Sequence, residues 1–261
     1  MMTTRVLTAA ALIALFVGAL FFLPRPGWLL LAALMLAQGA WEWGGLARLA
    51  ALPRAVYTAS LVAVLLLVAY EPGTLYARWA YYGAAVFWVV LAPLWLWRRP
   101  VFRSAAVPLA AGAVVLVPAF TALVSLRDIS PVLLLAVMVA IWISDTAALF
   151  AGRSFGRRKL APEVSPGKTW EGVYGALAAV ALYGVATGLA AKTHYLAWTV
   201  LLLVLAVAGV IGDLLESQMK RAAGVKDSGS LLPGHGGWLD RIDAQTAALP
   251  LAALAFTLGT A

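Results

Sequence analysis

Apolar runs long enough to cross a bilayer follow one another along almost the whole chain, separated by short polar stretches. A transmembrane helix needs about 20 mainly apolar residues. Nine segments meet that need: 5–23, 27–46, 54–70, 77–97, 104–126, 131–151, 170–191, 195–219 and 243–259. In lipid every backbone polar group must be satisfied internally, so spans are helices or closed barrels. These runs lack the short alternating segments of a barrel. The pattern predicts an all-α fold, a polytopic integral membrane helical bundle of about nine transmembrane helices. Pro108 and Pro118 are expected to bend the fifth of them. The first run, Val6 to Leu23, could pass for a signal peptide. However, no small-x-small cleavage site precedes Pro24-Arg25-Pro26 and another apolar run follows at once, so it reads as a retained span.

Composition strengthens this reading. Of 261 residues 64% are hydrophobic and 11% charged, with a mean hydropathy of +0.93, whereas soluble domains are about half apolar. Cysteine is absent, so thiolate metal sites, thiol nucleophiles and disulfides are excluded. The net charge of +8 does not mark a nucleic-acid partner, because the basic residues lie between apolar runs rather than along a polar face or tail. They mark topology instead. With the N-terminus inside, fifteen face the cytoplasm: Arg5, Arg48, Arg54, Arg98, Arg99, Arg103, Arg153, Arg157, Arg158, Lys159, Lys168, Lys220, Arg221, Lys226 and Arg241. Only four, Arg25, Arg78, Arg127 and Lys192, fall outside. Lysine and arginine accumulate in cytoplasmic loops, so this bias sets the orientation and favours an odd number of spans.

The chain has two textures. Residues 1–140 are membrane helices with short connections and few acidic residues, whereas 141–261 carry the two longest polar loops, 152–169 and 220–242, on the same predicted cytoplasmic side. The chemistry is expected in this second region. Asp213, Glu216, Ser217 and Lys220 fall at helical spacing and share one polar face at the end of an apolar span. An ionisable group inside a membrane segment usually faces a cavity or a partner. Asp240 and Asp243 open the next run, where one reading is an N-cap and a first-turn charge favoured by the helix dipole. The other is a metal site, since carboxylates flanking a glycine-rich turn suit Mg²⁺ shared with substrate phosphates. Asp145, between Ser144 and Thr146, lies in the latter part of the sixth span. A functional carboxylate and a helix-to-helix hydrogen bond are both open for it. Lys168 stands in Ser165-Pro166-Gly167-Lys168-Thr169, but the first glycine of a P-loop would fall at Pro162 and no strand precedes it. What remains is a backbone turn presenting one lysine to a phosphate, or one more topogenic charge.

The run from Ser217 to Asp243 reads S-x-x-K-R-x4-K-D-S-G-x-L-L-P-G-H-G-G-x-L-D-R-I-D. It resembles the signature of the phosphatidate cytidylyltransferases, also called CDP-diacylglycerol synthases. The likeness continues upstream through Ile143-Ser144-Asp145-Thr146-Ala147-Ala148, Gly152-Arg153-Ser154-Phe155-Gly156-Arg157 and Ser165-Pro166-Gly167-Lys168-Thr169-Trp170-Glu171-Gly172. Trp238 departs from it, standing where an aliphatic residue is expected. The resemblance implies an enzyme that joins CTP to phosphatidic acid, giving CDP-diacylglycerol and pyrophosphate. It would work in a bacterial cytoplasmic membrane with the site facing the cytoplasm, among membrane lipids and as a homodimer. It implies one or two Mg²⁺ ions on Asp213 and Asp240, with Asp243 and Asp227 as supporting ligands or orienters. Lys168 would lie near the triphosphate. Arg153, Arg157, Lys220, Arg221, Lys226, Arg241, Ser217, Asp145 and His235 would meet substrate, His235 by bracing its loop or touching phosphate or cytosine. Arg158 and Lys159 read as topogenic charges, and Glu42, between Trp41 and Trp43, as part of an interfacial anchor.

Two other readings compete. A transporter could bind ions at Asp145 and Asp213, but a pore spreads its polar residues through the bilayer depth and these gather in cytoplasmic loops. A polyprenol kinase would release a nucleoside diphosphate instead of pyrophosphate. The D-G-x2-A-R motif of the CDP-alcohol phosphatidyltransferases is absent.

Overall fold

The computed structural model describes residues 13–69, 75–100, 104–231 and 236–258. Positions 5–12 of the first expected span, Tyr70, Arg103, His235 and Gly259 lie outside these residues. The architecture is almost entirely helical: α1 (Ile13–Phe22), α2 (Arg25–Leu46), α3 (Ala51–Ala69), α4 (Leu75–Val86), α5 (Ala92–Arg98), α6 (Ala106–Ile129), α7 (Pro131–Phe155), α8 (Trp170–Ala190), α9 (Tyr195–Ala223) and α10 (Leu239–Leu258). A π-helical turn, Phe87–Leu91, joins α4 to α5, and there the Ala92 N–H donates to Phe87 O five residues back. Pro93 follows immediately, and its missing N–H is the usual cause of such a local widening. Among the described residues seven helices are long and apolar enough to cross a membrane: α2, α3, the α4–α5 rod, α6, α7, α8 and α9. The described part of α1 is shorter, and α10 carries Asp240, Arg241, Asp243 and Gln245 near its start, which lowers its hydropathy.

Local sequence explains the helix ends. Pro24 precedes α2 and Pro26 lies in its first turn; Ser130 caps α7 by accepting the Leu133 N–H at 3.3 Å, with Pro131 next. Proline suits the first turn because its missing N–H has no helical partner to lose. For the same reason Pro108, in the first turn of α6, breaks no helical bond, and only Pro118 is interior to that helix. Thr169 caps α8 through the Gly172 N–H at 3.1 Å, and Gly224 closes α9 at φ 79°, a conformation that glycine adopts without strain.

The expected loop 152–169 is partly structured. α7 runs on to Phe155, and β1 (Lys159–Ala161) pairs antiparallel with β2 (Ser165–Thr169), in register Lys159 with Thr169 and Ala161 with Ser165. Likewise α9 extends to Ala223 and α10 starts at Leu239, so the second polar loop is shorter than 220–242.

Helices α7, α8, α9 and α10 pack in succession, and α10 also lies against α6, α4 and α2. Buried indoles and a phenol fasten α2 and α3 to α6: Trp43 Nε1 donates to Pro108 O at 2.8 Å and Tyr57 OH to Leu109 O at 3.0 Å. Such groups need a partner once buried. At the far end Arg25 pairs with Asp128 at 3.0 Å and Arg127 donates to Leu20 O at 3.0 Å. Because lipid gives helices no hydrophobic reason to associate, membrane interfaces rely on small residues that let backbones approach. At Gly212 of α9 a Cβ would lie 2.5 Å from Asp243 O and 3.2 Å from Ala247 Cβ, both on α10. Gly175 of α8 would collide with Ala151 of α7 in the same way.

Gly212→Ala must therefore drive α9 from α10, and we expect it to destabilise the protein by about 1–3 kcal/mol. Gly83→Ala, on α4 where nothing lies within 4 Å, should be neutral or slightly stabilising. Thermal unfolding of both variants in detergent tests the contrast; equal midpoints would show that the α9–α10 contact is not tight.

Candidate active site

The polar face of α9 meets the β-hairpin on one side and the start of α10 on the other. Lys168 occupies the next-to-last position of β2, directly before the cap of α8, and its ammonium forms an ion pair with Asp213 Oδ2. Ser217 Oγ donates to Asp213 Oδ1 at 3.2 Å. One turn further along α9, Lys220 Nζ lies 3.2 Å from Glu216 Oε1 and pairs with Asp240 Oδ1. Both Glu216 and the Lys220 side chain are nearly buried.

Asp240 sits in the first turn of α10 rather than before it, and its other oxygen reaches back over the loop. Oδ2 accepts from the Ser228 N–H at 2.9 Å, Ser228 Oγ at 3.0 Å and the Gly237 N–H at 2.8 Å. Asp243 follows one turn later, half-buried, with one oxygen on the Ala244 N–H at 2.8 Å. Its charged neighbours are Asp213 and Glu216, brought close by the glycine contact between α9 and α10, and Asp145 of α7. Asp145, exposed on α7, has Asp213 and Lys168 as its charged neighbours.

Five carboxylates (Asp145, Asp213, Glu216, Asp240 and Asp243) thus share this face with two ammonium groups, Lys168 and Lys220. Like charges at this spacing repel, and the repulsion grows where water is sparse. A cation fits such a place. Lys168 on Asp213 and Lys220 on Asp240 hold positive charge at the carboxylate oxygens that a metal ion would take. Among the described residues no three acidic or histidine side chains converge tightly enough to cage an ion alone.

The remaining residues expected at the site lie around it, Asp227 close to Asp240, since a Cβ on Gly236 would lie 3.4 Å from Asp227 Oδ1 and 2.9 Å from Asp240 Oδ2. Arg153, Arg157, Lys226, Asp227 and Arg241 are exposed on the surrounding segments, and Arg221 donates to Val225 O at 3.4 Å, bracing the end of α9. His235 is outside the described residues. Glu171, given no role in the sequence reading beyond its place in the motif, and Glu42, read there as an interfacial anchor, are organisers of the site. Glu171 accepts the Arg157 N–H at 3.0 Å and the Arg158 N–H at 3.2 Å, fixing the entry to the hairpin that carries Lys168. Glu42 reaches the signature loop from α2. The available signal was its charge inside an otherwise apolar segment.

A bundle of apolar helices thus presents paired lysines and carboxylates at one end, and the comparisons give its class as a membrane nucleotidyltransferase. The comparisons are specific. The model of the cytidylyltransferase family matches residues 3–258, and the chain belongs to that family. A phosphatidate cytidylyltransferase of Pseudomonas aeruginosa is 40% identical over 277 residues, covering 99% of this chain and 98% of the relative. Proteins of the same name from Haemophilus influenzae and Staphylococcus epidermidis match over shorter stretches. The first is 48% identical over 124 residues, 45% of this chain and 43% of the relative. The second is 45% identical over 113 residues, 42% and 44%.

Lys168 serves to separate specific phosphate contact from topogenic charge. A compact ammonium paired with Asp213 cannot become a planar guanidinium without displacing its charge. Lys168→Arg should insert normally yet lose roughly tenfold or more in cytidylyl transfer. Arg158→Lys, altering an exposed pair with Glu171, should change the rate little. Steady-state rates of both purified variants decide it, and full activity in Lys168→Arg would leave that lysine a topological marker only.

Proposed function

We propose that the chain transfers the cytidylyl group of CTP to phosphatidate, yielding CDP-diacylglycerol and pyrophosphate. The phosphate monoester of the lipid attacks the α-phosphorus of CTP, and the bond from that phosphorus to the α–β bridging oxygen breaks. Pyrophosphate leaves with the electron pair. No protein nucleophile is required, since the lipid phosphate already is one. Both reactants are anionic, so the enzyme must chiefly neutralise charge and hold the groups in line.

The observation that carries this reading is the joining of Lys168 to Asp213 and of Lys220 to Asp240 at one end of a membrane bundle, in a chain matched over 99% of its length by a protein of that name. Asp213 and Asp240 would hold a divalent cation, Asp243 in support, and that cation would supply charge neutralisation on the triphosphate. Lys168 and Lys220, released from their carboxylates, are suited to phosphate oxygens. In this reading the site faces the cytoplasm, where fifteen of the nineteen basic residues are expected.

The test is incubation of the purified protein in detergent with α-³²P-labelled CTP, Mg²⁺ and phosphatidate. Label should enter the lipid as CDP-diacylglycerol with release of unlabelled pyrophosphate, EDTA should abolish it, and Mg²⁺ should restore it. Release of labelled CDP would instead identify a lipid kinase. Orientation has its own measurement, because cysteine is absent and Ser154→Cys and Ser230→Cys give single exposed thiols. Neither should react with an impermeant reagent applied outside intact cells, and labelling of both from outside would reverse the topology.

A further inference from the structure

Glu42 is 2% exposed, on a helix otherwise remote in sequence from the site. Its two oxygens accept four hydrogen bonds. Oε1 receives Gln38 Nε2 at 2.9 Å and the Trp238 N–H at 2.9 Å; Oε2 receives the Leu239 N–H at 2.9 Å and Ser228 Oγ at 2.8 Å. A carboxylate has about four acceptor sites, so this one is saturated. Three of its four partners lie 186 to 197 residues away in sequence. An interfacial anchor would need none of them.

The partners explain its purpose. Trp238 immediately precedes α10 and Leu239 begins it, where the first N–H groups of a helix have no helical acceptor. Glu42 supplies one from another helix, and its negative charge suits the positive end of the helix dipole. Leu239 is the immediate neighbour of Asp240. Ser228 Oγ lies 2.8 Å from Glu42 Oε2 and 3.0 Å from Asp240 Oδ2, and its single proton can serve only one of them at a time. The Ser228 N–H holds Asp240 directly. Backbone comes close enough for this only because of glycine: a Cβ on Gly229 would lie 2.6 Å from Glu42 Oε1, and one on Gly237 2.6 Å from Oε2.

We infer that Glu42 is a positioning residue for cytidylyl transfer, clamping Ser228 and the first turn of α10 so that Asp240 is aimed at Lys220 and the reacting phosphates. The inference rests on the transfer activity proposed above. The Trp238 and Leu239 N–H groups, one on each oxygen, can only donate, so an amide would keep one acceptor oxygen and turn its own N–H bonds against one of these backbone donors. A shortened carboxylate would not span both Ser228 and α10.

The experiment combines kinetics with a probe of loop order that needs no turnover. Glu42→Gln should lower kcat roughly tenfold or more while KM for CTP and for phosphatidate stays within about threefold, because the lost alignment acts in the transition state. Glu42→Asp should not rescue it. The Glu42→Gln, Ser228→Ala double variant should be no slower than the slower single variant, since both changes cut one linkage. A spin label on Ser230→Cys, exposed beside the clamp, should be more mobile when Glu42→Gln is added. A merely structural role would show as less folded protein with normal kcat in the folded fraction. That result, or unchanged label mobility, overturns the proposal. Should Glu42→Gln fail to fold, Ser228→Ala takes its place: a fall in kcat alone supports the clamp and an unchanged kcat refutes it. A wild-type chain that makes no CDP-diacylglycerol counts against the transfer reading, and the label mobility then still judges the clamp.

Discussion

The close approach of α9 and α10 at Gly212 governs the site. With no Cβ there, the backbone of α10 at Asp243 comes against α9, and the acidic start of one helix is laid beside the polar end of the other. Separating the helices by a side-chain layer would carry Asp243 away from Asp213 and Asp240 away from Lys220. In a bilayer this packing cannot be driven by burial of apolar surface, since lipid is as apolar as the helix, so shape and hydrogen bonding must supply it. Small residues at Gly209, Ala244 and Ala247 continue the same close seam.

Placing carboxylates together has an electrostatic cost that determines the rest of the design. Five acids against two lysines leave an acidic face, and in the proposed reading a bound cation would offset its repulsion of a nucleotide triphosphate. The lysines occupy one oxygen each of Asp213 and Asp240, which keeps the acidic face tolerable without substrate. In the proposed reading they are also the groups that would move onto phosphate. Their reach differs in kind. Lys168 comes from a hairpin outside the helices, whereas Lys220 is fixed within α9 and nearly buried. The hairpin is therefore the element more suited to adjust to a ligand.

Most helices were legible in the sequence because hydrophobic length is a strong signal in a membrane chain. The expected count was less so: α10 bears four polar or charged residues in its first turns and is buried among five other helices, so composition alone marks it weakly. Lys168, Asp213, Lys220 and Asp240 were named from spacing and family resemblance, yet their pairing was not. Spacing within α9 shows which residues share a face, but not that the partner of Asp213 comes from β2. The hairpin itself was read as loop, since three- and five-residue strands with Pro166 and Gly167 carry almost no alternation. Glu42 was read as an anchor because its neighbours Trp41 and Trp43 are typical of a membrane interface, and its real partners are nearly two hundred residues away.

That distance bears on why the first half of the chain exists. Its sequence offers little chemistry, and hydrophobic helices alone could be supplied by any membrane segment. The structure gives α2 and α6 a more exacting role. α6 lies along α10, Trp43 ties α2 to α6, and Glu42 closes on the loop between α9 and α10. These contacts hold α10 by helices other than α9. A helix gripped by one neighbour could tilt and carry Asp240 with it, while one gripped by several keeps its first turn in register with Lys220. Aim within a fraction of an ångström is what a charge-stabilising site requires. With Glu42 acting as proposed, the N-terminal helices contribute to the chemistry through rigidity, by fixing the position of one carboxylate.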